Sequence, residues 1–291
     1  MRYYIHHSTT YTYSQGVILQ PHLVRLRPRC NGDQSLLKFD LTIDPQPQGQ
    51  TQILDPEGNA ILRLRWAETP VTQLTLQVES EVETYCDNPF NFLLEPWATQ
   101  LPIDHPTSLF TVLQPYLWGD LWPGSGIDPI AAQLGQEIAQ AVEGNTILFL
   151  SELNQRICQT CKHQIRETGA PLPPSVTWQE KTGSCRDLTV LFMAACRAVG
   201  LASRFVSGYQ EGDPDWQHRH LHAWAEVYLP GAGWRGYDPT QGLAVSDRHI
   251  ALVATAWPGH AAPVTGSIRG QGATSQMDYR LTIEPCSEPK G

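Results

Sequence analysis

The sequence lacks the features that direct a chain into or across a membrane. No apolar run approaches the roughly 18 residues that a helical span needs. The segment from Met1 to His7 carries one arginine but no apolar stretch of the kind found in secretory signals. The seven cysteines are an odd number spread over 291 residues, which is not the pattern of a disulfide framework. We therefore expect a cytoplasmic protein with free thiols and no membrane partner.

Basic charge is also scarce. The chain has 20 Lys and Arg residues against 29 Asp and Glu residues, a formal net charge of −9. Nucleic-acid binding needs a clustered basic surface, and the one local group, Arg25, Arg27 and Arg29, alternates as the solvated face of a strand does. A glycine-rich phosphate loop and calcium-loop spacing are both missing. These absences predict no nucleic-acid partner and no cofactor, and they leave the oligomeric state open.

What the chain does contain is enough apolar sequence for about two domains, with 41% hydrophobic and 17% charged residues. Residues 1–105 alternate with period two in Leu37–Ile43 and Leu74–Val82, with turn-forming residues between them, which predicts an antiparallel sheet or sandwich. Residues 106–126 form a Pro- and Trp-rich stretch, including Trp118 and Trp122, that we interpret as an irregular connector.

Residues 127–291 form the predicted second domain, which opens with two helical patterns. These run from Ile130 to Val142 and from Ile147 to Arg166. The fold class expected for the whole chain is therefore α+β, with a β-rich, sandwich-like domain preceding a mixed one.

A cysteine stands at the predicted start of a further helix. After Gly183 and Ser184, apolar residues recur at offsets of three, four, seven and eleven from Leu188, which is the spacing of an amphipathic helix. Cys185 is thereby placed at the helix N-terminus. There the aligned peptide dipoles stabilise a thiolate, and unpaired N–H groups can receive an oxyanion. Cys185 is therefore a candidate nucleophile.

A histidine and an aspartate follow on a predicted hairpin. The segment from His222 to Leu229 alternates small apolar residues with polar or aromatic ones, a glycine-containing turn follows, and a return strand ends at Asp238. This hairpin brings His222 and Asp238 together. A thiolate nucleophile needs a base within reach and a third group that orients the base. Cys185, His222 and Asp238 supply these roles; His220, two residues before His222, reads as a solvated loop end.

The segments TGSCRDLTVLFMAACRAVGLASRFVSGY, HAWAEVYLPGAGWRGYDPT and HIALVATAWPGHAAPVTGSIRG resemble the bacterial transglutaminase-like superfamily, whose core unites transglutaminases with papain-type cysteine proteases. The first domain is similar to the N-terminal region that precedes this core in bacterial members. The resemblance implies a papain-like fold, with Cys185 as nucleophile, His222 as general base and Asp238 as orienting acid. It implies thiol acyl chemistry on a protein or peptide substrate.

The sequence leaves several alternatives open. Trp178, Gln179 or Trp224 could donate to an oxyanion or contact substrate. Hydrolysis of an amide through a thioester, as in a cysteine protease or amidase, is favoured over transfer to an amine, because nothing suggests a site that excludes water. A catalytically silent peptide-binding module is a further alternative. A zinc site at Cys158, Cys161 and His163 is disfavoured, since no second cysteine pair supplies a fourth ligand.

Overall fold

The computed structural model describes residues 1–117, 126–166, 168–212 and 219–286. Its strands, in chain order, are β1 (Arg2–Leu19), β2 (His22–Val24), β3 (Gln34–Asp44), β4 (Gly49–Leu54), β5 (Ala60–Arg65), β6 (Val71–Thr84), β7 (Lys162–His163), β8 (Thr182–Gly183), β9 (Ser203–Gln210), β10 (His222–Leu229), β11 (Gly233–Asp238), β12 (Leu243–Ala244), β13 (His249–Thr255), β14 (Val264–Thr265), β15 (Ile268–Arg269) and β16 (Ser275–Pro285). Its helices are α1 (Thr107–Leu117), α2 (Pro129–Ala141), α3 (Thr146–Thr160), α4 (Pro174–Glu180) and α5 (Cys185–Ala198), with short 3-10 turns at Pro96–Ala98 and Pro258–Ala261. The α+β class and the β-rich first part are confirmed.

Three antiparallel sheets organise the molecule. In the first sheet β1 pairs with β6 and β16, and β6 pairs with β3. The second sheet has the order β14-β2-β5-β4, and the third has the order β12-β11-β10-β9-β13. Alternate residues of β1, among them Tyr3 and Ile5, are fully buried, as the period-two pattern of a half-buried strand requires.

The C-terminal strands pair with strands from the first part of the chain. The sequence pattern predicts one domain over residues 127–291; in the structure β14 pairs with β2, and β15 and β16 pair with β1. Along β16, Leu281 and Ile283 are buried while their neighbours are exposed, so this strand buries one apolar face on the first sheet. The chain thus returns to the sheets in which it began.

Two helical predictions also need correction. The stretch interpreted as an irregular connector contains α1, while its Trp118 and Trp122 lie outside the described residues. The helix predicted to reach Arg166 ends at Thr160, because Cys161 turns extended and Lys162 N–H donates to the Lys181 carbonyl at 2.8 Å. The following residues form β7, which pairs in parallel with β8.

Helix α5 is the buried axis of the second part. Every residue from Asp187 to Arg197 is buried, so the helix is covered on all sides, against α2, α4 and the third sheet. Gly135 of α2 permits a close approach, since a Cβ there would lie 2.7 Å from the Ala195 carbonyl oxygen. Among the described helices, none is long and apolar enough to cross a membrane.

Two amide side chains join the first part to the free edge of β13. Gln34 accepts from Ala251 N–H at 2.7 Å and donates to the Ala251 carbonyl at 3.0 Å. Asn59 makes the same pair of bonds with Ala254, both at 2.9 Å. Each amide thus replaces one residue of a neighbouring strand, which satisfies the backbone groups of an edge strand. The position of β13, and of His249 at its start, is therefore fixed from both sides.

Candidate active site

The N-terminus of α5 is held by one buried carboxylate. Asp187 Oδ2 accepts from the backbone N–H and the hydroxyl of Ser184, both at 2.7 Å. Its Oδ1 accepts from Arg166 at 2.6 Å and from Leu172 N–H at 2.7 Å. Four donors therefore satisfy a side chain that has no exposed surface. Because Ser184 directly precedes Cys185, these bonds fix the backbone that carries the thiol.

Cys185 is the first residue of α5, as the sequence predicted, and it remains partly exposed. Burial opposes ionisation of its thiol, but hydrogen bonds and charge from His163 and His222 outweigh this penalty and lower its pKa to about 6. The thiolate of Cys185 is therefore well populated near neutral pH, whereas burial raises the pKa of Cys196 in the middle of the same helix.

His222 and Asp238 lie together at one end of the β10–β11 hairpin. The register pairs Ala225 with Tyr237, so Asp238 comes level with Trp224, close to His222. His222 Nε2 lies 2.7 Å from Asp238 Oδ2, so the second ring nitrogen, Nδ1, remains for another partner. Burial acts to lower the pKa of His222, but the charges and hydrogen-bonding effects of Asp238 and Cys185 outweigh burial and raise this pKa to about 10. The structure thus brings the three predicted residues together: a hydrogen bond joins His222 to Asp238, and the interaction of His222 with Cys185 shifts the pKa values of both groups.

Asp238 is completely buried and receives more than one donor. Besides His222, its Oδ2 faces His249 Nε2 at 3.2 Å, and its Oδ1 accepts from Thr240 N–H at 2.9 Å. Burial acts to raise the pKa of this carboxyl, but His222 and His249 hold it well below its usual range. Asp238 is therefore ionised, and it stabilises positive charge on His222.

The other predicted site residues have different surroundings. Trp178 and Gln179 line a cavity on the α2 side of α4, with Lys181 Nζ 3.5 Å from the centre of the Trp178 ring, so a role for either at the oxyanion gains no support. Trp224 is 1% exposed, and its ring centre lies 6.3 Å from that of His222. It is therefore a buried neighbour of the His222 ring. His220 contacts the hydroxyl of Tyr279 on β16.

His163 and His249 also lie near the triad residues, although no local sequence signal places them there. The sequence groups His163 with Cys158 and Cys161, but in the structure it follows the end of α3 on β7, where it acts on the thiol of Cys185 and lowers its pKa. Cys158 Sγ instead donates to the Thr240 carbonyl at 3.5 Å, and Cys161 Sγ faces the Thr177 carbonyl at 4.0 Å. Three residues close in sequence therefore have three different partners.

A second donor set exists around Asp238. His222, Asp238 and His249 offer ligand atoms within 4.8 Å of one another. In the structure the Nε2 atoms of both histidines are directed at Asp238. An ion between them would replace both histidine–aspartate bonds and remove the group that orients His222, so a metal fits the chemistry of this site poorly.

Two family models match parts of the chain. The family model described as the bacterial transglutaminase-like N-terminal region matches residues 3–83. The model described as the transglutaminase-like superfamily matches residues 132–239, a range that contains Cys185, His222 and Asp238.

Similar proteins match either nearly the whole chain or a part of it. An uncharacterized protein of Mycobacterium tuberculosis (strain ATCC 25618 / H37Rv) is 27% identical over 298 residues, covering 98% of this chain and 93% of that protein. A protein-glutamine gamma-glutamyltransferase of Pseudomonas aeruginosa is 27% identical over 126 residues, which cover 40% of this chain but 19% of that protein. The crystal structure of a Cytophaga hutchinsonii protein described as a "Putative Cysteine Protease" superposes with a TM-score of 0.70 at 19% identity, covering 99% of this chain and 92% of that one. The last likeness concerns the fold. The chain thus matches the models of the N-terminal region and of the core of the transglutaminase-like superfamily, the family that its sequence motifs resemble.

Proposed function

We propose that this protein is a thiol hydrolase that cleaves an amide, in a peptide bond or a glutamine side chain, through a thioester on Cys185. The observation that carries the proposal is the arrangement of the Cys185, His222 and Asp238 side chains. In this arrangement the pKa of the thiol is lowered and the pKa of the imidazole is raised. Such a pair rests as thiolate and imidazolium, which is the state that attacks a carbonyl and protonates a leaving amine.

The reaction follows from these protonation states. Cys185 Sγ bonds to the carbonyl carbon, and the carbonyl electron pair moves onto oxygen, beside the N–H groups at the start of α5 that have no helical acceptor. As the oxyanion collapses, the C–N bond breaks and His222 gives its proton to the departing nitrogen. Water then loses a proton to His222 and attacks the thioester carbon. The carboxylic acid leaves, and the thiolate and the imidazolium are restored.

Transfer of the acyl group to an amine is the second candidate. It is favoured by the similarity of 126 residues to the Pseudomonas protein-glutamine gamma-glutamyltransferase. Hydrolysis is preferred because Cys185 is partly exposed and its neighbour His163 is exposed, so water has access to the thioester. We place the reaction on a protein or peptide substrate in the cytoplasm, a setting that suits the seven free cysteines.

A partition experiment distinguishes the two reactions. The protein is incubated with a glutamine-containing peptide library and an excess of a primary amine, and the masses of the products are measured by mass spectrometry. Hydrolysis converts an amide to an acid or cleaves the chain, whereas transfer adds the amine. Acid or cleaved products that disappear in Cys185→Ala support the proposal. Amine adducts alone would replace it with transfer, and no thioester or product in any arm would favour the silent binding module.

A further inference from the structure

His249 makes a contact that the reaction above does not use. It begins β13, the strand held by the amide side chains of Gln34 and Asn59, and only 7% of its surface is exposed. Its Nε2 lies 3.2 Å from Asp238 Oδ2, the oxygen that also receives His222. One carboxylate oxygen is thus shared by two imidazoles on different strands.

The protonation of His249 follows from its surroundings. The charged and titratable groups that act on His249 are Asp238, His222 and Asp247. The effect of burial is larger than theirs, so the pKa of His249 is lowered. His249 is therefore neutral at pH 7 and carries its single proton on Nε2, where Asp238 accepts it. Its Nδ1 is left as an acceptor. Among the described residues, this buried atom has no hydrogen-bond partner.

A buried hydrogen-bond donor without a partner in the described part of the chain lies on the neighbouring side chain, Trp224. Trp224 Nε1–H is a donor, it is also buried without a partner among the described residues, and the two rings meet edge-on with centres 5.2 Å apart. Both side chains line a cavity of about 40 Å³, together with Trp234 and Val245. A water molecule needs roughly 10–15 Å³ of such space and two or more polar partners. A water here would accept from Trp224 and donate to His249.

We infer that His249 is a positioning residue for Asp238, and that an ordered water bound between Trp224 Nε1 and His249 Nδ1 holds it in the Nε2–H form. The water fixes the ring, the ring fixes Asp238 Oδ2, and the carboxylate keeps His222 aligned and charged beside Cys185. The inference rests on the proposed thiolate–imidazolium pair, because its consequence is read at Cys185. In this role His249 acts through Asp238 and takes no direct part in the reaction.

The pH profile of Cys185 alkylation by iodoacetamide tests this role. In His249→Leu the carboxylate loses one donor and its alignment, so the imidazolium is stabilised less and the midpoint of thiolate formation moves upward. We expect a midpoint shift of about one pH unit, which makes alkylation at pH 6 about fivefold slower than in the wild type, whose thiol has a pKa of about 6. His249→Gln, whose amide nitrogen reaches a position similar to Nε2, restores most of the rate.

Two further variants separate positioning from packing. His7→Leu is the matched control, because His7 is also buried, with 1% exposure, and bonds Tyr209 through Nδ1 at 3.0 Å. It is expected to lower the melting temperature without moving the midpoint. His249→Asn keeps an amide in the cavity but is too short to reach Asp238, and it serves if the leucine variant does not fold. An unshifted midpoint in a folded leucine or asparagine variant overturns the inference.

The proposed function and the proposed water are each tested by a separate measurement. A wild-type profile without a rising limb near pH 6 would contradict the proposed function itself, whereas a normal wild-type profile with unshifted variants contradicts only the role of His249. A crystal structure at atomic resolution is expected to show a water within hydrogen-bond distance of both Trp224 Nε1 and His249 Nδ1. A well-resolved electron-density map with no water peak at that point overturns the proposed water.

Discussion

His222 Nε2 and Asp238 Oδ2 lie 2.7 Å apart although 16 positions separate the two residues. The contact is produced by a short hairpin, in which Gly231 and Gly233 adopt φ values of 89° and 77° that other residues rarely adopt. The carboxylate is fully buried, so its charge acts on the imidazole with little screening by solvent.

Replacing this carboxylate by an amide tests its electrostatic role. Asp238→Asn keeps the volume but removes the charge, so the pKa of His222 falls and the thiolate of Cys185 is no longer paired with a full positive charge. We expect product formation to fall by about 10²–10⁴-fold, less than for Cys185→Ala, because the nucleophile remains. Peptide turnover at pH 7 measures the loss, and circular dichroism checks the fold. A rate within a factor of two of the wild type would show that Asp238 does not act through its charge.

His163 is expected to stabilise the thiolate from β7. In His163→Ala the interaction of His163 with the thiolate is lost, and the pKa of Cys185 rises from about 6. Because His163 is exposed and solvent screens this interaction, we expect an upward shift of about half to one pH unit in the alkylation profile. His163→Gln keeps a donor and is expected to shift it less. Equal profiles for the wild type and the alanine variant would remove His163 from the site.

The rate of acylation is expected to be bell-shaped in pH. Below about 6 the thiol of Cys185 is protonated and cannot attack, so the rate rises as pH increases through this value. Above about 10 His222 loses the proton that the leaving amine needs, so the rate falls again. The two limbs belong to the coupled pair rather than to either residue alone. Single-turnover acylation between pH 4 and pH 11 measures them, and a rising limb above pH 8 would contradict the low-pKa thiol.

The cap of α5 predicts a stability effect. In Asp187→Asn the buried side chain cannot accept all of its donors, and the guanidinium of Arg166 loses its ion pair. We expect the free energy of unfolding to fall by about 2–4 kcal/mol. Urea denaturation measures the change. Glu152→Gln is the control, because it breaks an exposed pair with Arg156 on α3 and is expected to cost less than about 1 kcal/mol. Equal losses in both variants would refute a structural role for the cap.

Local signals in the sequence located the site. Gly183 and Ser184 ahead of a 3.6-residue period marked the start of α5, and the glycine turn between two alternating strands set the register that joins His222 to Asp238. Both features depend on residues close together in the chain. That is why they could be predicted before the structure was known.

The remaining parts depend on contacts between distant residues. His163 reaches Cys185 because β7 pairs in parallel with β8, and His249 reaches Asp238 because β13 joins the sheet beside β9. The pairing of β16 with β1 joins the two ends of the chain, and a period-two pattern does not say which strand will be the neighbour. Single-sequence patterns therefore gave the elements but not these pairings.

The most direct test of the account is the relative reactivity of the cysteines toward iodoacetamide at pH 6.5, mapped by mass spectrometry in the folded protein. Cys30 is exposed and Cys196 is fully buried, so they show the effects of access alone. We predict that Cys185 is alkylated first, at least about tenfold faster than Cys30, because its thiolate is stabilised by His163 and His222. Alkylation of Cys185 no faster than that of Cys30 would contradict the claim that this thiol is an activated nucleophile.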